Sequence, residues 1–538
     1  MDDGYAREPP HAPAEAGDAG GCVVHPIGSG GYADVFTVPT AAHWLVKKVA
    51  VGPDEFRPRE YFRARAALFQ SDHLVVPAYE HEATFLDVFL SHEIRWDRRL
   101  YLFQDAPRVR CMIMAHEGVT ASQYLRGLGC ASADARASAV ISIVRDACRG
   151  ALDLAAHGLI PIDLKADNVL VGADGAAKVS DLDMVLPAEP DLAHDTTLWQ
   201  LSHVTWGRPP EMLAAEASPD EPPECFLAAP AFDAFPEIRV RARVTGRFAE
   251  GLRVLTRAVE RADAESYDAA ARDPWASARA RWRVLRDEFQ CFDRKAAPMT
   301  AYAIGALLAY LLAEAGVPAP VGGSDAGSRA ADLAVRCLAP DPRDRPPLSE
   351  VAGDLAVLAA AAPAPATAPA RARAAGRYPR SREEPFVHRQ ELRIEDVDDA
   401  SREVVESTTF LAIRWLRARL REHGHKQHEH EHHQNGGAWP VARAVMFHVG
   451  ALKYPRAGEP TDAVEALSFH PGAHATVAAC FLVGALAAGD LRVSVEDFRS
   501  AVHVTRRDIG AAMTRVVRAV RPHLRAIVAA HAGNASSR

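Results

Sequence analysis

The stretch Pro161-Ile162-Asp163-Leu164-Lys165-Ala166-Asp167-Asn168, followed by Ser180-Asp181-Leu182-Asp183, decides how this chain is interpreted. Between the two stretches, the apolar run Val169-Leu170-Val171 and the turn Gly172-Ala173-Asp174-Gly175 predict a short β-hairpin. A hairpin here would bring the end of the first stretch and the start of the second to one rim. An acid, a cation, an amide and a second acid at these separations are the groups that phosphoryl transfer from ATP requires.

The two stretches resemble the catalytic loop and the metal-binding segment of protein kinases, H-R-D-L-x-x-x-N and D-F-G. The resemblance implies that Asp163 takes the proton of the attacking hydroxyl and that Lys165 steadies the transferred phosphoryl group. It also implies that Asn168 and Asp181 ligate Mg²⁺ over the phosphates of ATP. Lys165, two residues after the base, is typical of the class that phosphorylates Ser and Thr.

The match departs from the family pattern at four positions. Pro161 and Ile162 replace the His and Arg, and Leu182 and Asp183 occupy the last two positions of the metal-binding segment. Since Ile162 replaces the Arg that reads an activation-loop phosphate in many kinases, we expect constitutive or partner-controlled activity. Asp183 would either bind Mg²⁺ or lock the segment in an inactive turn. A nucleotide-binding pseudokinase scaffold therefore remains the alternative to an active enzyme.

A glycine-rich segment lies near the N-terminus between two apolar segments. The run Ile27-Gly28-Ser29-Gly30-Gly31-Tyr32-Ala33-Asp34-Val35 resembles the kinase loop G-x-G-x-x-G-x-V, with Ala33 replacing the third glycine. Glycines let main-chain N–H groups approach phosphates closely. The resemblance implies that the nucleotide contacts come from Gly28, Ser29, Gly30, Gly31 and Val35.

Further nucleotide-binding residues follow in the order found in the family. Leu45-Val46-Lys47-Lys48-Val49 resembles the V-A-I-K strand, so Lys47 would contact the α- and β-phosphates. The predicted helix Arg57–Phe69 offers Glu60 as the partner of Lys47. Glu55 is the second candidate for this partner. Alternatively, Glu60 is a solvated residue at the start of a helix with no role in the site. Cys111-Met112-Ile113-Met114 resembles the strand before the hinge, which would place Met114 beside the adenine.

Two downstream motifs have structural roles in the family. Arg208-Pro209-Pro210-Glu211 resembles A-P-E, and the resemblance implies that Arg345 pairs with Glu211. Thr300 stands where the family places an Asp that anchors the catalytic loop. The residues 214–298 form an insertion, which would either shape substrate docking or be a surface helical hairpin.

The C-terminal part of the chain has a helical pattern. The predicted helices are Ser401–Glu422, Val441–Tyr454, His474–Gly489, a short one opening at Ser494, and one from Thr505 or Arg506 to Leu524. This arrangement resembles the cyclin box, which the core of transcription factor IIB shares. The order of the two parts resembles kinase–cyclin fusions of large DNA viruses and implies an intramolecular contact. The alternative fold for this part is an unrelated five-helix bundle. The alternative function is that of a cyclin-like or transcription-factor-IIB-like regulatory adaptor.

We therefore expect an α+β chain, with a two-lobed protein-kinase fold followed by an all-α, cyclin-like domain. The small N-lobe would be β-rich and the larger C-lobe helical. The expected divisions are a disordered leader at 1–20, a kinase domain at 21–360 (N-lobe 21–114, C-lobe 115–360), a linker at 361–399 and a helical domain at 400–530. The His-rich tract 423–433 would be a solvated loop or an adventitious metal binder.

Composition and charge indicate which functional classes this chain is expected to belong to. The 538 residues carry a formal net charge of −8, which argues against non-specific nucleic-acid binding. The 8 cysteines form no C-x-x-C pair, which is typical of buried thiols in a reducing compartment. No signal peptide or bilayer-spanning apolar run is recognised. We expect an intracellular soluble serine/threonine protein kinase that uses ATP and Mg²⁺ and acts on a protein substrate.

Overall fold

The structure is a computed structural model with antiparallel sheets in the N-terminal part and helices in the rest, which confirms the α+β class. The residues that it describes are 26, 28–29, 33–39, 44–52, 59–96, 108–129, 131–188, 209, 282–283, 286–287, 290–291, 293, 297–317, 325–339, 341–362, 438–453, 471–489, 495, 499 and 503–532.

The strands and helices follow the chain in this order. The strands are β1 (Gly28–Ser29), β2 (Ala33–Pro39), β3 (Trp44–Gly52), β4 (Tyr79–Ala83), β5 (Arg108–Ala115), β6 (Val119–Thr120), β7 (Leu159–Pro161), β8 (Val169–Val171), β9 (Ala177–Val179) and β10 (Val185–Pro187). The α-helices are α1 (Arg59–Leu68), α2 (Phe85–Ser91), α3 (Ala121–Gly127), α4 (Ala133–Ala156), α5 (Pro298–Glu314), α6 (Ala326–Cys337), α7 (Leu348–Ala361), α8 (Ala438–Lys453), α9 (Pro471–Ala487) and α10 (Arg506–Ala532).

The chain forms two compact units. The first comprises Met1–Asp54, Pro77–His116 and Arg380–Arg538, and the second comprises Glu55–Val76 and Glu117–Pro379. The C-terminal helices α8 to α10 thus belong to the same unit as the N-terminal sheet, and helix α1 belongs to the other unit.

The first unit contains a five-stranded sheet in the order β1-β2-β3-β5-β4, with every neighbouring pair antiparallel. Strand β3 lies at the centre, where Lys47 is opposite Phe36 on β2 and Ile113 on β5. This register places β3, the predicted phosphate-binding strand, between β5 and the hairpin of β1 and β2. We call this pair of strands the glycine-rich hairpin.

Helices α8, α9 and α10 share one apolar core with the sheet and with α2. Helix α9 is buried along most of its length, in agreement with its apolar sequence. Gly484 lets α9 approach α8 closely, because a Cβ at this position would lie 2.4 Å from the Cα of Ala442. Helix α10 continues to Ala532, beyond the predicted end at Leu524, because the buried Ile527 extends its apolar face.

The second unit is built around helix α4, which packs against α5, α6 and α7. A three-stranded sheet in the order β6-β8-β9 and the pair β7–β10 lie beside these helices. The pairing of β8 with β9 confirms the predicted hairpin after Asn168. Gly150 lies where a Cβ would be 2.6 Å from the main-chain oxygen of His73, so α4 contacts the segment after α1 closely.

Several predictions lie wholly or mostly outside the described residues. These are the leader, the linker beyond 362, the helix Ser401–Glu422, the His-rich tract, Glu211 and nearly all of the insertion 214–298. The five cysteines that the structure describes are buried, as predicted. None of the described helices combines the length and the apolar character needed to cross a bilayer.

Candidate active site

The stretches 161–168 and 180–183 are held together by main-chain pairing in the second unit. Strand β7 precedes Asp163 and pairs with β10, which follows the second stretch; Pro161 is opposite Val185. The N–H of Ile162 donates to the carbonyl of Met184 at 3.0 Å. Pro161 and Ile162, two of the departures from the kinase pattern, are both buried.

Asp163 is the centre of a polar cluster. The Nζ of Lys165 lies 2.7 Å from Oδ2 of Asp163, and the Nδ2 of Asn168 donates to the same oxygen at 3.1 Å. The other carboxylate oxygen, Oδ1, is buried and has no hydrogen-bond partner. One oxygen is therefore fixed by a cation and an amide, and the second is left available.

Burial raises the pKa of Asp163 above its ordinary value. The nearby charge of Lys165 and the hydrogen bonds of Lys165 and Asn168 oppose this shift, and the negative charge of Asp181 adds to it. Loss of hydration disfavours the ionised carboxyl more strongly than these partners favour it, so Asp163 is a stronger base than an exposed aspartate.

Asn168 connects the first stretch to the second. It ends a 3₁₀ turn at Ala166–Asn168 and is buried. Its carbonyl oxygen accepts the N–H of Ser180 at 2.7 Å and the hydroxyl of Ser180 at 2.9 Å. Since Ser180 directly precedes Asp181, these bonds bring the two predicted metal ligands to the same end of the hairpin.

Asp181 has a left-handed backbone, with φ 59° and ψ 54°. Such a conformation is uncommon for a residue with a Cβ, and it persists where the surroundings fix it. Here Ser180 is held by Asn168 on one side, and the turn Leu182–Met184 is buried on the other. Asp183, the residue at the usual glycine position, is also buried, at 7% exposure.

The donor atoms near the hairpin end fit Mg²⁺. The amide nitrogen of Asn168 donates to two oxygens of Asp163, which leaves Oδ1 of Asn168 for a ligand. Carboxylate and amide oxygens suit this hard cation, which protein sites often bind through one or two carboxylates plus substrate phosphates. Within the described ranges, no group of three or more His, Cys, Asp and Glu residues is placed to hold a metal ion.

Two residues outside the predicted site, Asp146 and Gly118, support the hairpin. The carboxylate of Asp146, buried on α4, accepts the N–H of Ala177 at 3.2 Å at the start of β9 and pairs with Arg145. Gly118 has φ +123°, and a Cβ there would lie 2.0 Å from the carbonyl oxygen of Val171. An isolated Asp in a helix and a glycine after a strand carry no sequence signal for these roles.

The predicted nucleotide-binding residues of the first unit lie on its sheet. Gly28 and Ser29 pair with Val35 and Asp34 in the β1–β2 hairpin; Gly30 and Gly31 lie outside the described residues. Met114 is opposite Val46 on β3 and packs against the buried Ala33 and Met112. Ala33 at the third glycine position thus has a packing role.

Glu60 lies in the first turn of α1 and is exposed. It belongs to the second unit, whereas Lys47 belongs to the first, so their pairing stays a prediction. The predicted Glu211 partner of Arg345 is not among the described residues. Arg345 itself is buried, donates to the carbonyl oxygens of Ala339 at 2.7 Å and Pro298 at 3.2 Å, and lies over the ring of Tyr302.

No protein-family model matches this chain, and no curated protein is significantly similar to it in sequence.

Proposed function

We propose that this chain is a protein kinase that transfers the γ-phosphoryl group of ATP to a Ser or Thr hydroxyl of a protein substrate. The observation that carries the proposal is the polar cluster around Asp163. It joins a carboxylate that has one buried, unpaired oxygen, a cation at 2.7 Å and an amide that also bonds the loop backbone. Positioning and charge stabilisation of this kind are what phosphoryl transfer requires of a protein.

Asp163 would act as the general base. Because Lys165 and Asn168 hold Oδ2, the unpaired Oδ1 is the atom that would take the proton of the attacking hydroxyl. The raised pKa of Asp163 brings its basicity closer to neutral pH, where a base catalyses most effectively.

Lys165 would place its positive charge beside the transferred phosphoryl group. Its side chain is 27% exposed, so the ammonium remains accessible to a substrate while it is paired with Asp163. Asn168 and Asp181 would hold Mg²⁺, which when bound would neutralise charge on the phosphates. The fixed backbone at Ser180 and Asp181 would limit the reorganisation needed for that binding.

The residues of the first unit would bind the nucleotide. Main-chain N–H groups of the glycine-rich hairpin would contact the phosphates, together with Lys47, and Met114 would lie beside the adenine. Under this proposal the chain has a two-lobed kinase fold, Glu60 pairs with Lys47, and the C-terminal helices α8 to α10 are cyclin-like.

The test is Mg²⁺-dependent transfer of ³²P from γ-labelled ATP to a generic Ser/Thr substrate. The variants are Asp163→Asn and Asp181→Ala, with Asp167→Asn as the matched control because Asp167 is an exposed acid in the same loop. We expect activity in wild type and in the control. We expect Asp163→Asn to lose about 10²–10⁴-fold, the usual contribution of a general base.

A second candidate function rests on Asp183, whose buried carboxylate follows Asp181 closely. If it locks the segment, the chain would bind nucleotide without transferring the phosphoryl group, as a pseudokinase scaffold does. Binding of a fluorescent ATP analogue without any transfer would favour the scaffold. Transfer that is equal in wild type and Asp181→Ala would contradict the assigned roles.

A further inference from the structure

We propose that Arg521, on the last helix, is a positioning residue for the glycine-rich hairpin and so sets the affinity for ATP. The inference rests on the proposed function, because the ligand is the nucleotide named there. All of the residues involved belong to the first unit. The coupling runs from α10 to the end of α2, then through the segment His92–Trp96 to β2.

The first step joins α10 to the C-terminal end of α2. The Nε of Arg521 donates to the carbonyl oxygen of Phe89 at 2.7 Å, and its NH2 donates to that of His92 at 3.1 Å. The last carbonyl groups of a helix lack partners within the helix, and a cation is favoured at that end. Arg518 forms an ion pair with Glu93 beside them.

Packing fixes the same contact. Phe89 is fully buried and Trp96 is 1% exposed, and their rings contact edge to face with centroids 5.3 Å apart. Both residues share a core with Val517 and Leu524 of α10. The segment His92–Trp96 is therefore held between the helix and the sheet, and its backbone position depends on α10.

The second step joins this segment to β2. The main-chain N–H of Arg95 donates to Oδ2 of Asp34 at 3.1 Å, and Asp34 is fully buried. The ring of His92 contacts the ring of Phe36 edge to face, with centroids 4.7 Å apart. Two alternate residues of β2 are thus fixed by the segment that Arg521 holds.

These two residues are the register partners of predicted nucleotide-binding residues on the neighbouring strands. Asp34 pairs with Ser29 of the glycine-rich segment, and Phe36 pairs with Lys47. Loss of the Arg521 contacts would free the end of α2, loosen His92–Trp96 and allow the hairpin to shift. An ordered hairpin binds phosphates better than a loosened one, because less order must be imposed on binding.

The experiment compares full-length wild type, Arg521→Ala, Arg521→Lys and Arg515→Ala. Arg515 is the matched control, an exposed arginine on the same helix. We expect Arg521→Ala to raise the Kd and KM for Mg·ATP about 10-fold, in the range of couplings between sites, with kcat unchanged. Arg521→Lys should recover part of the affinity, and Arg515→Ala should match wild type.

Amide hydrogen exchange over 28–39, without nucleotide, supplies a readout independent of ATP. We expect faster exchange there in Arg521→Ala than in Arg515→Ala. If Arg521→Ala does not fold, Arg521→Lys and Glu93→Gln take its place and should show the same effects in smaller size. Unchanged ATP affinity and unchanged exchange in the folded Arg521 variants would overturn the inference while leaving the kinase proposal intact. A wild-type protein that binds no nucleotide would overturn both, even if the exchange at 28–39 still responds to Arg521.

Discussion

The amide of Asn168 holds Asp163 at two points. Its Nδ2 donates to the main-chain oxygen of Asp163 at 2.8 Å and to carboxylate Oδ2 at 3.1 Å. A single buried side chain therefore fixes both the loop backbone and the carboxylate of the proposed base. The same residue accepts two hydrogen bonds from Ser180, so it also sets the position of Asp181.

We expect Asn168→Ala to lower kcat by about 10²-fold or more, because the proposed base would lose its orientation and the proposed metal site would lose a ligand. The variant should also lose about 1–3 kcal/mol of unfolding free energy, since the partly buried main-chain oxygen and Oδ2 of Asp163 would lose their amide donor. Steady-state kinetics and urea unfolding measure the two effects. Asp167→Ala, at the exposed neighbour, is the control and should change neither value. Wild-type kcat in Asn168→Ala would contradict its proposed role.

We expect Gly118→Ala to destabilise the second unit by about 2–4 kcal/mol. The added Cβ would meet the carbonyl oxygen of Val171 at 2.0 Å, and the φ of +123° is unfavourable for alanine. Gly353→Ala is the matched control, because this helical glycine has open space around it. It should stabilise the protein by about 0.5–1 kcal/mol. Equal unfolding midpoints for the two variants would show that the close contact at Gly118 is not present.

We expect the first unit to become less stable as the pH falls through the ordinary histidine pKa of 6.5, because of His448. Burial lowers the pKa of His448, and the nearby His523 and His531 lower it further. The hydrogen bond to the carbonyl of Ala444 acts in the opposite direction and raises the pKa. Between the lowered folded value and 6.5, the unfolded chain binds more protons, so stability rises with pH and is fully present above about 6.5.

Hydrogen exchange of the α9 amides at pH 7.5 and pH 5.5, corrected for intrinsic rates, measures this dependence. His448→Gln cannot ionise, yet it retains a donor for the Ala444 carbonyl. The loss of protection at pH 5.5 should therefore be smaller in His448→Gln than in wild type. An identical loss in both proteins would exclude His448 as its source.

We expect Arg345→Met to cost about 2–4 kcal/mol of unfolding free energy, because one buried and one partly buried carbonyl group lose their charged donor. These are the carbonyls of Ala339, after α6, and Pro298, at the start of α5. Arg343→Met is the control in the same turn. Its ion pair with Asp341 has an arginine that is 54% exposed, so the loss should be about 0–1 kcal/mol. A cost for Arg345→Met as small as that of the control would show that the buried contacts contribute little.

The local elements around the site follow directly from the sequence. The apolar run Val169-Leu170-Val171 and the glycine turn 172–175 predict the β8–β9 hairpin. Helices α8 and α9 begin and end within a few residues of the predicted positions. The residues of the polar cluster are also predicted from their type and spacing and from the resemblance to the kinase motifs. These features depend on contacts between residues close along the chain, which sequence patterns report.

Local sequence is enough to predict the polar residues at 163, 165, 168 and 181 as one candidate site and the hairpin between them. The fold as a whole leaves Oδ1 of Asp163 buried without a partner, gives Asp181 its left-handed backbone and places the carboxylate of Asp146 against the hairpin. It also decided that α10 packs with α2 and the N-terminal sheet in one core. The apolar periodicity of a helix predicts which of its faces is buried, but not which surface covers that face. The desolvation of a carboxylate depends on groups that are distant in the chain.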